Sequence, residues 1–418
     1  MKGERIAACA NGLDPIWVPK KSRENLFLIV EKGGGLDEYS LKEWPETKII
    51  RITKKESHEG RVVASLEKMI RRTDITERLH EKKIEAVIAP YWTSPELVRW
   101  ATQENFFLLG TPYALQKKFE NKGWFNQFLQ NHAIPSPRSY TAKTIAKAPS
   151  GKKYVIQESK ASEEFRTRFS SKKDAERALK KSGSGVLVRE YVEGIPAGIS
   201  VCLDSKGNCL ISAIRRQCFL YKKGSPEKFL GIQWIPRDRL PTKTKKAIKG
   251  VVKKLVGALM GEGFYGVANI DFMISGGEVY VLECNPRFSL ATPQIFRHPE
   301  LSDEKNMWQF IINSYTEKRN GRTRKSALPE SAFEGSTLVI TAKKNTKNLR
   351  PLPVGPYVPD KKENDSILLL HELGNTKQLK KEELAYTALS SYPLFSQKTG
   401  KLNKKGIVLL KKLEKTLY

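Results

Sequence analysis

The sequence predicts an α/β protein: a doubly wound domain first, then a larger mixed region richer in strands. Two observations predict this. Short apolar strands alternate with helical stretches from Leu26 to about Pro112. Further on, segments of strand period are joined by tight glycine-containing turns, and one such hairpin ends in a cluster of polar side chains.

The first domain is assigned to residues 1–112. Leu26–Val30, Lys48–Ile52, Ala86–Ala89 and Phe106–Leu109 read as strands, with helices over Val62–Leu79 and Pro95–Gln103. Gly33, Gly34 and Gly35 follow the first of these strands and read as a flexible turn.

The hairpin spans Gly266 to Arg287. In a strand, alternate residues share a face. Asn269, Asp271 and Met273 fall on one face of its first strand, and Val279, Val281, Glu283 and Asn285 on one face of its second. The two sets meet only if the loop between paired residues is odd in length. A three-residue glycine-containing loop with a bulge is therefore expected. A strict two-residue Gly276-Gly277 turn would set Asp271 and Glu283 on opposite faces. The chemistry argues for their meeting. Asp271, Glu283 and Asn285 are oxygen donors of the kind hard cations take. Arg287, just beyond, is a planar donor for phosphate.

Glu283, Asn285, Pro286 and Arg287 after an apolar strand, preceded by Gly266, Asp271 and Phe272, resemble the ATP-grasp superfamily. That resemblance implies an N-terminal pre-ATP-grasp domain, a two-lobed ATP-grasp domain over 113–319 and a small β-rich C-terminal subdomain over 320–418. It also implies ATP with Mg²⁺, or Mn²⁺ in its place, held by Asp271, Glu283 and Asn285. Arg287 would contact the γ-phosphate or an acyl phosphate. Leu187–Gly194 resembles the family hinge, so Glu190, Tyr191, Val192 and Glu193 would bind adenine and ribose, with Glu190 the better acid. Lys122, after Asn121 and ahead of Ile134, Pro135 and Pro137, would point at a phosphate. Arg215 and Arg216 resemble the part that faces the triphosphate. Adjacent strand residues point to opposite faces, so only one can do so, and Arg216 is taken as that one.

The chain departs from the family at one place. Gln157, on the strand Lys153–Gln157, stands where a lysine is expected, and residues 158–169 contain no glycine. Backbone N–H groups approach phosphate less easily there. Gln157 would then give one amide contact, with charge supplied by Lys160, Arg166 or Arg168.

Composition sets the outer bounds. The 418 residues carry 74 Lys and Arg against 45 Asp and Glu, a net charge of +29. The basic pairs are scattered, with no nucleic-acid module and no interleaved aromatic platform, so nucleic-acid binding is disfavoured. No apolar run spans a membrane, and the N-terminus lacks a secretory pattern. Cys9, Cys202, Cys209, Cys218 and Cys284 form no CxxC pair and read as reduced thiols of a cytoplasmic protein. A helix over Glu304–Lys318 leads into a polar linker, Asn320–Ser326. Strands at Ser336–Thr341, Gly355–Val358 and Ser366–Leu370 and a basic helix at Lys404–Leu417 close the chain. His371 and Glu372 read as a strand end, not a metal site.

The expected activity is that of an ATP-dependent carboxylate–amine ligase working through an acyl phosphate on small-molecule carboxylate and amine substrates, with a homodimer admitted. A non-catalytic ATP-binding module and a basic nucleic-acid-binding protein are the competing readings.

Overall fold

The computed structural model describes residues 5–9, 23–31, 41, 44–52, 73–158, 168–182, 185–204, 206–222, 225–289, 291–292, 307–315, 335–346, 355–357, 367–371, 382 and 384–417. Gly33–Gly35, the linker Asn320–Ser326, Lys160, Arg166 and Glu372 lie outside these residues.

Five short strands open the fold: β1 (Ile6–Cys9), β2 (Leu26–Glu31), β3 (Ile49–Ile52), β4 (Ala86–Ile88) and β5 (Phe107–Leu109). All pair in parallel in the order β3-β2-β1-β4-β5, the doubly wound pattern. Sequence reading found every one except β1. That strand is brief, yet it is central, and Ile6, Ala7 and Ala8 are buried. Helices α1 (Thr73–Glu81) and α2 (Pro95–Gln103) flank the sheet. The helix expected over Val62–Leu79 is seen only as α1, because residues 53–72 are outside the described set. Ser94 caps α2 by accepting from Leu97 N, and Pro95 follows it at the first helical position, where no N–H is needed.

Helices α3 (Tyr113–Glu120) and α4 (Lys122–Asn131) lead into the second region. Asn121 breaks the helix between them and caps α4, accepting from Trp124 N at 2.9 Å. A four-stranded sheet follows in the order β6-β9-β7-β8. Its strands are β6 (Ser139–Tyr140), β7 (Tyr154–Glu158), β8 (Arg168–Ser170) and β9 (Val186–Glu190). Tyr154, Ile156 and Val188 on one face pack against α5 (Lys172–Ser182) through Ala175 and Leu179. Alternation turns Val155, Gln157 and Arg189 to the other face.

The largest sheet is antiparallel throughout and has ten strands. It is built from β10 (Ile195–Leu203), β11 (Cys209–Ile211), β12 (Ile214–Lys222), β13 (Ser225–Ile235), β14 (Gly266–Ser275), β15 (Glu278–Asn285), β16 (Ser336–Thr341), β17 (Gly355–Tyr357), β18 (Ile367–His371) and β19 (Leu384–Ser390). The C-terminal strands do not form a sheet of their own. β16 pairs with β13, so they extend the central one. One face of this sheet is covered by α6 (Thr242–Gly261), whose Ile248, Val252, Leu255 and Leu259 pack on Ala197, Ile199, Ile270 and Phe272. Farther along the same face, α8 (Lys404–Lys415) covers Cys218 and Leu338. The opposite face packs Cys202, Trp234 and Val267 against the first domain and against α7 (Met307–Tyr315). α7 is the described part of the helix expected over Glu304–Lys318.

Candidate active site

The hairpin β14–β15 turns through Gly276 and Gly277, with Ser275 paired to Glu278. Both glycines have positive φ, 57° and 84°, as a type I′ turn requires. This is the strict two-residue turn that sequence parity set against a shared face. The parity is corrected farther down. The register shifts between Phe272↔Val281 and Asp271↔Glu283, which leaves Leu282 as an extra, bulged residue. Val279 and Val281 therefore face α6, while Glu283 and Asn285 face the other way with Asp271 and Asn269. The expectation that all four second-strand residues share a face is overturned, as is the odd-length turn. The expected meeting of Asp271 with Glu283 is present, because the bulge lies in the strand and not in the turn.

A row of paired residues crosses the sheet at this level: Glu283, Asp271, Gly198 and Arg215. Gly198 lets Arg215 reach over it. A Cβ there would lie 2.7 Å from Asp271 Oδ1 and 3.2 Å from Arg215 Nη2. Arg215 Nη2 stands 3.7 Å from Asp271 Oδ1, and the Arg215 side chain is 4% exposed. Arg215 also donates to Ser200 Oγ at 3.1 Å and to Asn269 Oδ1 at 3.3 Å. Of the adjacent arginines it is thus Arg215, not Arg216, that lies at the acids. Arg216 pairs with Ala197 on the helix-covered face, where its Nη1 donates to Gln397 O at 2.6 Å. The reason is register: both arginines lie inside β12, where Arg215 pairs with Gly198 and Arg216 with Ala197.

Two further cations close the patch. Lys122, in the first turn of α4, places Nζ 3.2 Å from Glu283 Oε2. Arg287 Nε donates to Glu120 Oε1 at 2.8 Å. Asn285 lies between the acids, its Nδ2 at 3.4 Å from both Asp271 Oδ2 and Glu283 Oε1. Asn269, buried behind them, accepts from Ser200 and Ser289 and donates to Arg287 O, which ties the Arg287 backbone to β14.

Above the patch stands the face of the small sheet that turns away from α5. Arg189 Nη1 donates to Leu282 O at 2.8 Å, the carbonyl of the bulged residue, and Nη2 donates to Gln157 Oε1. Gln157 is therefore bound to a guanidinium on the neighbouring strand. Sequence reading missed Arg189, Glu120 and the assignment to Arg215. Arg189 had a signal: it alternates in phase with Leu187 and not with the exposed end of the strand.

At the hinge, Glu190 is already engaged. Tyr140 OH donates to its Oε1, and Lys152 Nζ lies 3.0 Å from Oε2. Tyr191 N donates to Lys153 O at 2.9 Å. Val192 is half-buried and Glu193 exposed, and neither makes a hydrogen bond among the described residues.

The electrostatics separate the two facing acids. Burial, then the charge of Glu283, lifts the Asp271 carboxyl to about 7 against the pull of Arg215. Burial acts on Glu283 too, but Lys122, Asn285 and Arg189 outweigh it and hold that carboxyl below its ordinary value. Burial also lowers Arg189 to about 10. Two facing carboxylates with an amide beside them fit a hard dication, which would relieve their repulsion. Among the described residues no cluster of three or more His, Cys, Asp or Glu occurs, so phosphate oxygens and water would complete the shell of such an ion.

Residues 119–291 match the ATP-grasp domain family. The chain superposes on the biotin carboxylase domain of Hydrogenobacter thermophilus 2-oxoglutarate carboxylase, solved as a dimer with MgADP, ADP and bicarbonate. The TM-score is 0.65 at 14% identity, over 93% of this chain and 86% of that one. It also superposes on an L-amino acid ligase from Bacillus licheniformis with TM-score 0.59 and 16% identity, over 99% and 98% of the two chains. A curated relative, the carbamoyl phosphate synthase large chain of Thermus thermophilus, is 23% identical over 227 residues, which is 51% of this chain but only 22% of that protein. Residues 119–291 are thus similar to an ATP-grasp domain, and the chain shares the fold of these solved structures. Among the described residues no helix is long and apolar enough to cross a membrane.

Proposed function

We propose that the chain is an ATP-dependent ligase that activates a carboxylate as its acyl phosphate and passes the acyl group to an amine. The observation that carries this reading is the convergence of Asp271, Glu283 and Asn285, ringed by Lys122, Arg189, Arg215 and Arg287. Cations outnumber the acids there, one acid is raised toward neutrality, and a polyanion is the ligand such a site favours.

ATP would lie between the small sheet and the central sheet, with the hinge Glu190–Glu193 at its base. Asp271, Glu283 and Asn285 would hold Mg²⁺, which when bound neutralises phosphate charge. Lys122 and Arg189 would orient the phosphates. Arg287 and Arg215 would stabilise charge on the transferring group as the carboxylate oxygen attacks the terminal phosphorus and ADP leaves. An amine then attacks the acyl carbon and expels phosphate. Activation is needed because a carboxylate is a poor electrophile. The amine as acceptor is supported by the near full-length match to the amino acid ligase. The division at 112 and 319, a cytoplasmic setting and a homodimer belong to the same proposal.

A second reading has one observation behind it. Gln157 supplies no charge and its carbonyl is taken by Arg189, which suits a module that binds nucleotide without turnover. One experiment separates the two: incubate the chain with ATP, Mg²⁺ and pooled amino acids, and measure ADP and phosphate. Amino-acid-dependent release supports the ligase. Tight ATP binding without release supports the module. Neither, with salt-sensitive RNA or DNA binding, would favour a nucleic-acid protein.

A further inference from the structure

Arg287 is more exposed than Lys122 or Arg215, and among the described residues its side chain has a single hydrogen-bond partner. Its Nε donates to Glu120 Oε1 at 2.8 Å, while Nη1 and Nη2 take no hydrogen bond among the described residues. The Glu120 side chain is 9% exposed against 33% for Arg287. Burial raises the Glu120 carboxyl, and Arg287 and Lys122 pull against that rise. Glu120 ends α3, and Lys122 opens α4 two residues later. The break at Asn121 thus delivers an acid to Arg287 and a base to Glu283 from one short stretch.

The backbone that carries Arg287 is held without Glu120. Asn269 Nδ2 donates to Arg287 O, Gln116 Nε2 donates to Pro286 O at 3.3 Å, and Phe288 N donates to Pro90 O at 2.8 Å. These contacts fix where the side chain begins. They leave its later torsions free, and an arginine loses considerable rotamer freedom when it is held. Among the described residues, the one contact that sets the plane of the guanidinium is the Glu120 bond to Nε.

We propose that Glu120 is a positioning residue for Arg287. It holds the guanidinium by Nε so that Nη1 and Nη2 form an open fork for a pair of anionic oxygens, those of a carboxylate or of the phosphoryl group of its acyl phosphate. This rests on the ligase reading for its role in turnover, but the orientation itself does not.

Four proteins test it: Glu120→Ala, Glu120→Gln, Arg287→Ala and the double alanine variant. Nucleotide affinity is measured by calorimetry with MgATP, turnover by ADP release, and orientation by the Arg287 Nε–H resonance, assigned by its loss in Arg287→Ala. Glu120→Ala is expected to lower kcat by roughly tenfold while the KM for ATP stays within about twofold, and to move the resonance to that of a free arginine. Glu120→Gln keeps an acceptor for Nε and should restore both readouts most of the way. In the Arg287→Ala background, removal of Glu120 should cost nothing more. An additive loss there, or an unmoved resonance in Glu120→Ala, overturns the proposal. If the parent releases no ADP with any carboxylate, the ligase reading fails. The positioning claim is then judged on the resonance and on acetyl phosphate binding, which Glu120→Ala should weaken and the double variant should weaken no further than Arg287→Ala. Acetyl phosphate binding that is equal in parent and Glu120→Ala also overturns it.

Discussion

The hairpin β14–β15 and the hinge strand β9 both end in acids that sequence reading marked for a ligand, and the fold treats them differently. At the hinge, Glu190 is satisfied by protein: Tyr140 and Lys152 occupy both carboxylate oxygens. At the hairpin, Asp271 and Glu283 face each other across a strand pair, and burial with mutual repulsion lifts one of them to about 7. The difference teaches where to look for chemistry. A lone acid matched by a hydroxyl and an ammonium reads as architecture, whereas two buried acids set against each other read as a place for a cation and its phosphate.

The strongest way to break this comparison is to neutralise one of the facing acids. Glu283→Gln should fold normally and lose ADP formation by about a thousandfold, since several kcal/mol of charge stabilisation go with it. Parent-like turnover would remove Glu283 from the site.

Next in size, Arg287→Lys keeps the charge but loses the planar fork, so kcat should fall by about thirtyfold and ATP affinity by much less. An equal fall in both would mean that Arg287 contributes uniform binding. Lys122→Ala should weaken MgATP binding by about tenfold in calorimetry, because a charge-assisted contact in a partly dehydrated cleft is lost. Gln157→Ala should weaken it less, since Gln157 engages Arg189 and brings no charge of its own.

The smallest effect tests the hinge side. Burial pushes Glu190 up, but the Tyr140 and Lys152 contacts outweigh it and hold the carboxyl below its ordinary value. A depressed acid stabilises the fold above its unfolded pKa, and that contribution is lost as pH falls through the folded pKa. Tyr140→Phe should therefore lower stability at neutral pH and flatten the decline on the acid side below about pH 4. Denaturant midpoints across that range check it, and a slope like the parent's would show that Tyr140 does not set the Glu190 pKa.

Particular residues show how far the sequence could be read. Asp271, Glu283, Asn285 and Arg287 were legible because they fall within one hairpin, where separation along the chain fixes separation in space. Lys122 was placed there only by resemblance, since a lysine that opens a helix after Asn121 carries no signal of its own for a partner as far along the chain as Glu283. The side of the sheet taken by each arginine was not legible. Alternation says that Arg215 and Arg216 oppose each other, but which one meets Asp271 depends on pairing with β10, and through it on the absence of a side chain at Gly198. The bulge at Leu282 was equally hidden, since its carbonyl is satisfied by Arg189 from another sheet.

By itself, then, the sequence determined the doubly wound first sheet, the polar cluster at one hairpin end and the kind of ligand that cluster suits. These follow from periodicity, turn residues and side-chain chemistry, all local properties of the chain. Tertiary structure alone decided that Leu282 bulges, that Arg215 and not Arg216 meets the acids, that Arg189 bridges the two sheets and that Glu120 holds Arg287. Each of these depends on register and burial between segments distant in sequence, and a buried charge takes whatever partner the packing brings within reach.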